Sequence, residues 1–378
     1  MNVNQETVFN PKRLREARLV RGMTIKGLAD TIGVSKQAIS QFELGEHMPK
    51  QETMMALINT LGFPKSFFYK DFKEQYVGNT FFRANATATK MSKEMQLNKS
   101  LLAGYIYSYL SDLIEFPDLN LPDVSELNTN WDDNNAIEEL AKRVREYWGI
   151  GENPIANIVH LLERNGIMVF SVDTDSQKVD AFCQHRTGRP FIFLGNDKQS
   201  AFRRQFDGGH ELGHVLMHED IDNQDTLSRE EIKAMENQAN RFASALLLPA
   251  EAFAKSVTST SLLHFIELKK YWQVSIGAMI YRSYQLNIID ESRYTSLQKQ
   301  MSMRKMRTKE PLDDVYPLQE PVVLKKSILM LLEHNVKNEL QLIQEMGVPQ
   351  EFIEMLCNLP KGTLNYKEPE PTIRLVKR

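Results

Sequence analysis

Residues 206–218 read FDGGHELGHVLMH. His210 and His214 stand four apart, so on a helix they lie on one face, one turn from each other. Two imidazoles at that spacing can hold one zinc ion. Glu211, beside the first, can then reach a water at the open coordination position as general base. Ser200 to His218 supports the helix, with apolar positions at Phe202, Phe206, Leu212, Val215 and Leu216. The bland alternative is a pair of surface histidines on an amphipathic helix.

Two histidines leave a third protein ligand to find. His218 continues the series, but a rise of 1.5 Å per residue puts it about 12 Å from His210 along the axis. Ligands of one zinc lie within about 4 Å of each other. His218 is therefore expected behind the ligands or simply at the helix end. Downstream, ENQANRFASALLLP (236–249) reads as a second helix with Ala239, Phe242, Ala243, Leu246 and Leu247 on its apolar side. Glu236 falls on the margin of that face, as a salt-bridged residue at the core edge or as a ligand. Asn240, one turn on, could orient a ligand or the backbone.

Together these strings resemble the ImmA/IrrE family of metallopeptidases. The residues that carry the likeness are Arg203, Phe206, Asp207, His210 to His214, Leu216 and His218, then Glu236, Ala239, Asn240, Phe242, Ala243 and Leu246 to Pro249. NPIANIVHLLERNGIMVF at 153–170 and GRPFIFL before the metal helix resemble it too. The resemblance spans roughly residues 134–290. It implies a gluzincin-like zinc metalloendopeptidase with His210, His214 and Glu236 as Zn2+ ligands and Glu211 as catalytic base. One departure stands out. The family tends to have alanine before the first histidine, whereas this chain has Gly208-Gly209. Glycine costs about 1 kcal/mol in a helix interior, so the helix is expected to kink or begin there.

A second motif lies near the N-terminus. TIKGLADTIGVSKQAISQFELG, residues 24–45, resembles the helix-turn-helix of Xre/Cro-type repressors. Thr24 and Ser35 can cap two short helices, Ala29 is small where they cross, Gly33 supports the turn, and Val34 and Ile39 fill the core. Lys36, Gln37, Ser40 and Gln41 face outward at the start of the second, where they can reach base edges and phosphate. From Pro11 to Lys70 ten lysines and arginines stand against five acidic residues, a net charge of +5. That modest field suits phosphate. The alternative is a helical fold that pairs with protein instead of DNA.

The whole suggests a helix-rich α+β protein. Its parts are a helix-turn-helix domain (8–72), a helical connector (73–133), a peptidase domain with a small sheet (134–299), a linker (300–322), and a C-terminal helical unit with a tail (323–378). WQVSIGAMIYRSYQL, 272–286, could be a second helix-turn-helix but reads better as a core helix closing the peptidase. Tyr281 and His264 are candidates to stabilise an oxyanion. Cys183 could be a fourth, inhibitory ligand, or a small residue in a half-buried strand.

The chain's net charge of −3 gives it no global pull toward nucleic acid or membrane. No run approaches the roughly 20 apolar residues of a membrane span. The N-terminus lacks a secretory h-region, and two cysteines cannot build a disulfide framework. A cytoplasmic, non-membrane protein is expected. Its expected partners are operator DNA, a repressor-type protein substrate and a second copy of itself in a homodimer. By resemblance, the substrate is a repressor or antitoxin-like helix-turn-helix protein, cut to derepress stress, prophage or mobile-element genes. Two other readings are a transcriptional regulator that only senses metal, ligand or damage, and a toxin–antitoxin or phage-defence partner.

Overall fold

The computed structural model describes residues 8–71, 77–84, 89–125, 127, 129–172, 179–186, 188–196, 199–219 and 227–365. The C-terminal tail lies outside them from residue 366 on. Residues 85–88, after the strand Val77–Ala84, lie outside them as well. The chain divides into two compact units. The first comprises Met1–Lys73, Lys90–Ile114 and Leu324–Arg378, and the second comprises Glu74–Thr89 and Glu115–Val323.

The first unit begins with four helices, Pro11–Val20, Ile25–Ile32, Lys36–Leu44 and Gln51–Leu61. Their starts follow from local chemistry. The side chains of Asn10, Thr24 and Ser35 accept the backbone N–H groups of Lys12, Gly27 and Ala38, which water would otherwise have to satisfy. Gly33 ends the second helix at φ 73°, a conformation that costs a side chain bearing Cβ, and its turn is closed by Val34 N–H to Ala29 O at 3.1 Å. Leu14, Ala17, Leu28, Ala29, Ile39 and Leu57 form the buried core. Val34 is only half-buried, because it lies at the turn. Arg18 is buried and grips Glu43 with two hydrogen bonds of 2.6 and 2.8 Å, tying the first helix to the third.

The C-terminal helices, Val323–Glu333, Glu339–Met346 and Gln350–Leu356, are part of this same unit. Phe352 packs on Phe63 with ring centroids 5.7 Å apart, and the Arg21 guanidinium covers Phe352 at 4.8 Å. Tyr109, on the helix Lys90–Ser111, donates to Glu345 at 2.8 Å.

The second unit carries a four-stranded sheet. Its strands are β1 (Val77–Ala84), β2 (Met168–Val172), β3 (Val179–Arg186) and β4 (Arg189–Gly195), in the order β1-β3-β4-β2. β1 and β4 flank β3 antiparallel, and β2 runs parallel to β4. Alternation sorts the two faces. Phe170, Phe182, Phe191 and Phe193 stack on one side, with Phe182 and Phe193 centroids 4.4 Å apart. Ala181, Cys183, Ile192 and Leu194 join Leu212 and Val215 of the helix Ala201–Met217 in the core on the other.

Three expectations change. The connector 73–133 is not wholly helical, since it first contributes β1 to the sheet of the second unit and then a helix to the first. Pairing of β1 with β3 is long-range, so local periodicity does not announce it. Residues 300–322 are not a linker. The helix Glu291–Met303 runs into them, and Glu310 and Asp313 are buried against Lys269. Their charge reads as solvated until its buried partner is known. Third, the helix bearing His210 does not begin at Gly208-Gly209, but runs from Ala201 through them to Met217. The segment 272–286 is a core helix: Ile276, Met279, Ile280 and Arg282 on Ile276–Gln285 are buried. Among the described residues no helix is long and apolar enough to cross a membrane.

Candidate metal centre

The site rests on two helices packed against each other at a glycine–alanine crossing. Ala201–Met217 starts at Ser200, whose side chain accepts Arg203 N–H, and Arg229–Leu247 starts at a capping box of Ser228 and Glu231. Gly209 and Gly213, one turn apart on the first, face Ala243 and Ala239, one turn apart on the second. A Cβ on Gly213 would stand 3.2 Å from the Ala239 Cα and 3.1 Å from the Phe242 ring; one on Gly209 would make ordinary contact with Ala243 at 3.5 Å. Gly208 is glycine for another reason, because a Cβ there would lie 2.8 Å from Ile158 Cγ2. Small residues at the crossing therefore bring the backbone of the second helix, and Glu236 with it, up to the two histidines.

His210, Glu211 and His214 are buried, and Glu236 is half-buried. His210 Nε2 and His214 Nε2 are 3.1 Å apart. Glu236 reaches them at 3.4 Å through Oε2 and at 3.6 Å through Oε1. Two ligands of a tetrahedral zinc, at bonds of about 2 Å, stand about 3.3 Å apart. Among the described residues these three alone form a cluster of at least three metal-ligating side chains, with ligand atoms within 4.8 Å of one another. Burial works against the charge of Glu236, but hydrogen bonds with His210 and His214, and their charge, hold its carboxyl well below the usual range.

The outer nitrogens of both rings are occupied. Asn240 Oδ1 lies 3.0 Å from His210 Nδ1, and His218 Nδ1 lies 3.0 Å from His214 Nδ1. His218 Nε2 meets Gln238 Oε1 at 2.9 Å, and Gln238 donates to Asp132 at 3.0 Å. Burial, reinforced by the facing His214, pushes the His218 pKa down to about 4, so the ring is neutral near pH 7. A neutral His218 with its proton on Nε2 donates to Gln238 and accepts from His214 Nδ1–H. That tautomer leaves the His214 Nε2 lone pair for a metal, and Asn240 does the same for His210. The donor set and its orientation fit a zinc ion.

Cys183 on β3 lies beside Glu211 and is not among the three clustered ligands. Burial, followed by the charge of Glu211, raises its thiol well above the ordinary value, so it remains S–H. His264 Nε2 engages the Ser256 carbonyl at 3.1 Å, whereas Tyr281 lines a cleft that Asn240 also lines. In the first unit, Lys36 and Gln37 are exposed and Ser40 and Gln41 half-buried on Lys36–Leu44. The Gly/Ala crossing and the Gln238–Asp132 link were not apparent from the sequence. The four-residue spacing of Gly209/Gly213 and Ala239/Ala243 is visible there, but their pairing is not.

The fold and site define a metallopeptidase-like domain joined to a DNA-binding type of helical domain. Residues 162–284 match the IrrE N-terminal-like domain, a peptidase family, and residues 14–68 match the helix-turn-helix domain. The chain thus fuses an Xre-type helix-turn-helix to an ImmA/IrrE-like domain. Among solved structures it is similar to a Mycobacterium tuberculosis transcriptional regulator, at 20% identity and a TM-score of 0.30, over 41% of this chain and 49% of that one. The chain therefore spans about half the length of that protein. No curated protein matches it.

Widening the crossing should dismantle the centre. Gly213→Val is expected to cost on the order of 1–3 kcal/mol of stability and to lower bound zinc together with it. Thermal melting and metal analysis check this, and a variant of wild-type zinc content and stability would contradict the close approach.

Proposed function

We propose that this chain is a DNA-binding regulatory zinc metallopeptidase that cleaves a helix-turn-helix repressor or antitoxin-like protein. The observation that carries the reading is the convergence of His210 Nε2, His214 Nε2 and the Glu236 carboxylate at 3.1–3.6 Å, with Glu211 on the same helix. His210, His214 and Glu236 would hold the ion. When bound, zinc supplies Lewis acidity at the scissile carbonyl and to the attacking water. Glu211 accepts the proton of that water and returns it to the leaving amine nitrogen, while Asn240 and His218 hold the two rings in the tautomer the site needs. The choice of a repressor as substrate follows the family resemblance and the attached helix-turn-helix. Metal analysis, with incubation of the purified chain with the repressor encoded beside its gene, tests it. Bound zinc and a discrete cut are expected; an intact repressor under zinc-loaded conditions would count against the reading.

The helix-turn-helix supports binding to double-stranded DNA, with the chain acting at its operator as a homodimer. Exposed Lys36 and Gln37 at the start of the third helix would meet phosphate and base edges, with Ser40 and Gln41 one turn deeper. Lys36→Ala with Gln37→Ala should weaken operator binding and reduce its salt slope by about one. Titrations at two salt concentrations measure both. Unaltered binding would instead favour pairing with protein.

A further inference from the structure

A cleft of about 690 Å³ opens beside the metal helix. Its walls include Asn237, Asn240 and Arg241 from the helix that carries Glu236, and Tyr281, Tyr284 and Asn287 from the helix Ile276–Gln285 and the turn after it. Asn240 belongs to both places, since the oxygen that meets His210 Nδ1 at 3.0 Å is on the same side chain. Whatever fills the cleft therefore lies one residue from the metal centre.

Its chemistry is unusual for a surface depression. Amide side chains offer a donor and an acceptor each, as a peptide group does. Tyr281 and Tyr284 are 45% and 37% exposed, and Tyr284 stacks on Tyr294 with centroids 5.1 Å apart, so large amphipathic rings are held at the rim. Such tyrosines give contact area at low entropic cost. The charge balance is also uneven. Glu138 accepts from Arg282 at 2.6 and 2.7 Å and from Arg241 Nε at 2.8 Å. Arg282 is fully buried and spends its Nε on the Leu248 carbonyl. One carboxylate thus serves two guanidiniums, which leaves the trio net positive, and of the two guanidiniums it is Arg241 that lines the cleft.

We infer that this cleft is the substrate subsite for an extended peptide segment bearing an aspartate or glutamate, with that carboxylate on Arg241 and the peptide groups on the asparagines and tyrosines. The inference rests on the peptidase reading above, but its test does not need cleavage. Arg241→Gln leaves Glu138 paired with Arg282 and so removes the excess charge without stranding a carboxylate. Tyr281→Ala with Tyr284→Ala removes the rim's rings, including the one stacked on Tyr294, and leaves Arg241 in place.

Each variant is placed in the Glu211→Gln chain, checked for melting and zinc content, immobilised, and exposed to a random-sequence decapeptide library. Retained peptides are sequenced by mass spectrometry. Aspartate or glutamate should be enriched about tenfold over input, in line with one charge-assisted hydrogen-bonded pair. That enrichment should vanish with Arg241→Gln and persist with Arg241→Lys. The tyrosine pair should lower retention overall. Absence of acidic enrichment, or enrichment indifferent to Arg241→Gln, overturns the inference. Zinc-loaded wild type acting on the same library should cut at a fixed distance from the acidic residue. Acidic enrichment that depends on Arg241, without any cut by wild type, would support the cleft as a peptide site and count against the peptidase reading alone.

Discussion

Glu211→Gln is expected to lower cleavage by about 10²–10⁴-fold while zinc stays bound. Glutamine keeps the volume and hydrogen-bonding shape of glutamate but cannot take a proton, and a positioned general base contributes a factor of that order. His210, His214 and Glu236 are untouched by the change, so the metal should be retained at wild-type stoichiometry. The Cys183 thiol lies beside the Glu211 carboxylate, and glutamine keeps an oxygen acceptor in that place. The fold around the site should therefore survive. Cleavage assays paired with metal analysis read both quantities. Derepression of the regulated genes should fall in parallel. Undiminished derepression by a variant that no longer cuts would sink the protease reading in favour of a regulator that acts by binding.

Lys269→Met should destabilise the second unit by about 3–5 kcal/mol, the usual cost of stranding a buried ionic partner. Lys269 is fully buried, and its Nζ meets Glu310 Oε2 at 2.8 Å and Asp313 Oδ1 at 2.7 Å. The ammonium also sits 4.2 Å from the centre of the Phe202 ring. The carboxylates do more than pair with it. Glu310 accepts the N–H groups of Ile276 and Gly277 at the start of one helix, at 2.8 and 3.0 Å. Asp313 accepts from Ser200, the cap of the metal helix, at 3.1 Å. Methionine fills much of the volume but leaves two carboxylates facing each other without their cation. Denaturant unfolding gives the difference, and a shift below about 1 kcal/mol would mean that water or relaxation compensates the loss. Because Asp313 anchors the start of the metal helix, zinc affinity should decline with stability.

Much of the metal helix could be read directly. The i, i+4 histidines, the capping serine at 200 and the apolar stripe are short-range features, and each helix bears them wherever it packs. The same holds for the helix-turn-helix, where Thr24, Gly33 and Ser35 mark boundaries that match the observed ones. Glu236 was harder. Its position on the margin of an apolar face suited a ligand and a salt bridge equally, and only the family resemblance favoured the ligand. Gly208-Gly209 misled, because helix propensity ignores what lies across the groove. Ile158 fills the space where a side chain at 208 would go, and Ala243 packs against 209.

What this sequence determined alone was the pair of signatures: one helix with two histidines and a glutamate at fixed spacing, and one capped helix pair with polar residues at its outer start. Periodicity and capping are properties of a few consecutive residues, so they survive without knowledge of the fold. Only the tertiary structure decided which distant groups meet. It brought Glu236 to the histidines across a glycine–alanine crossing, placed Asp132 behind His218 through Gln238, and set Glu310 and Asp313 around a buried lysine. It also folded the C-terminal helices onto the N-terminal domain through Phe63 and Phe352. Each of these contacts depends on close approach between segments far apart in the chain, and close approach is set by volume and charge compensation at the meeting point.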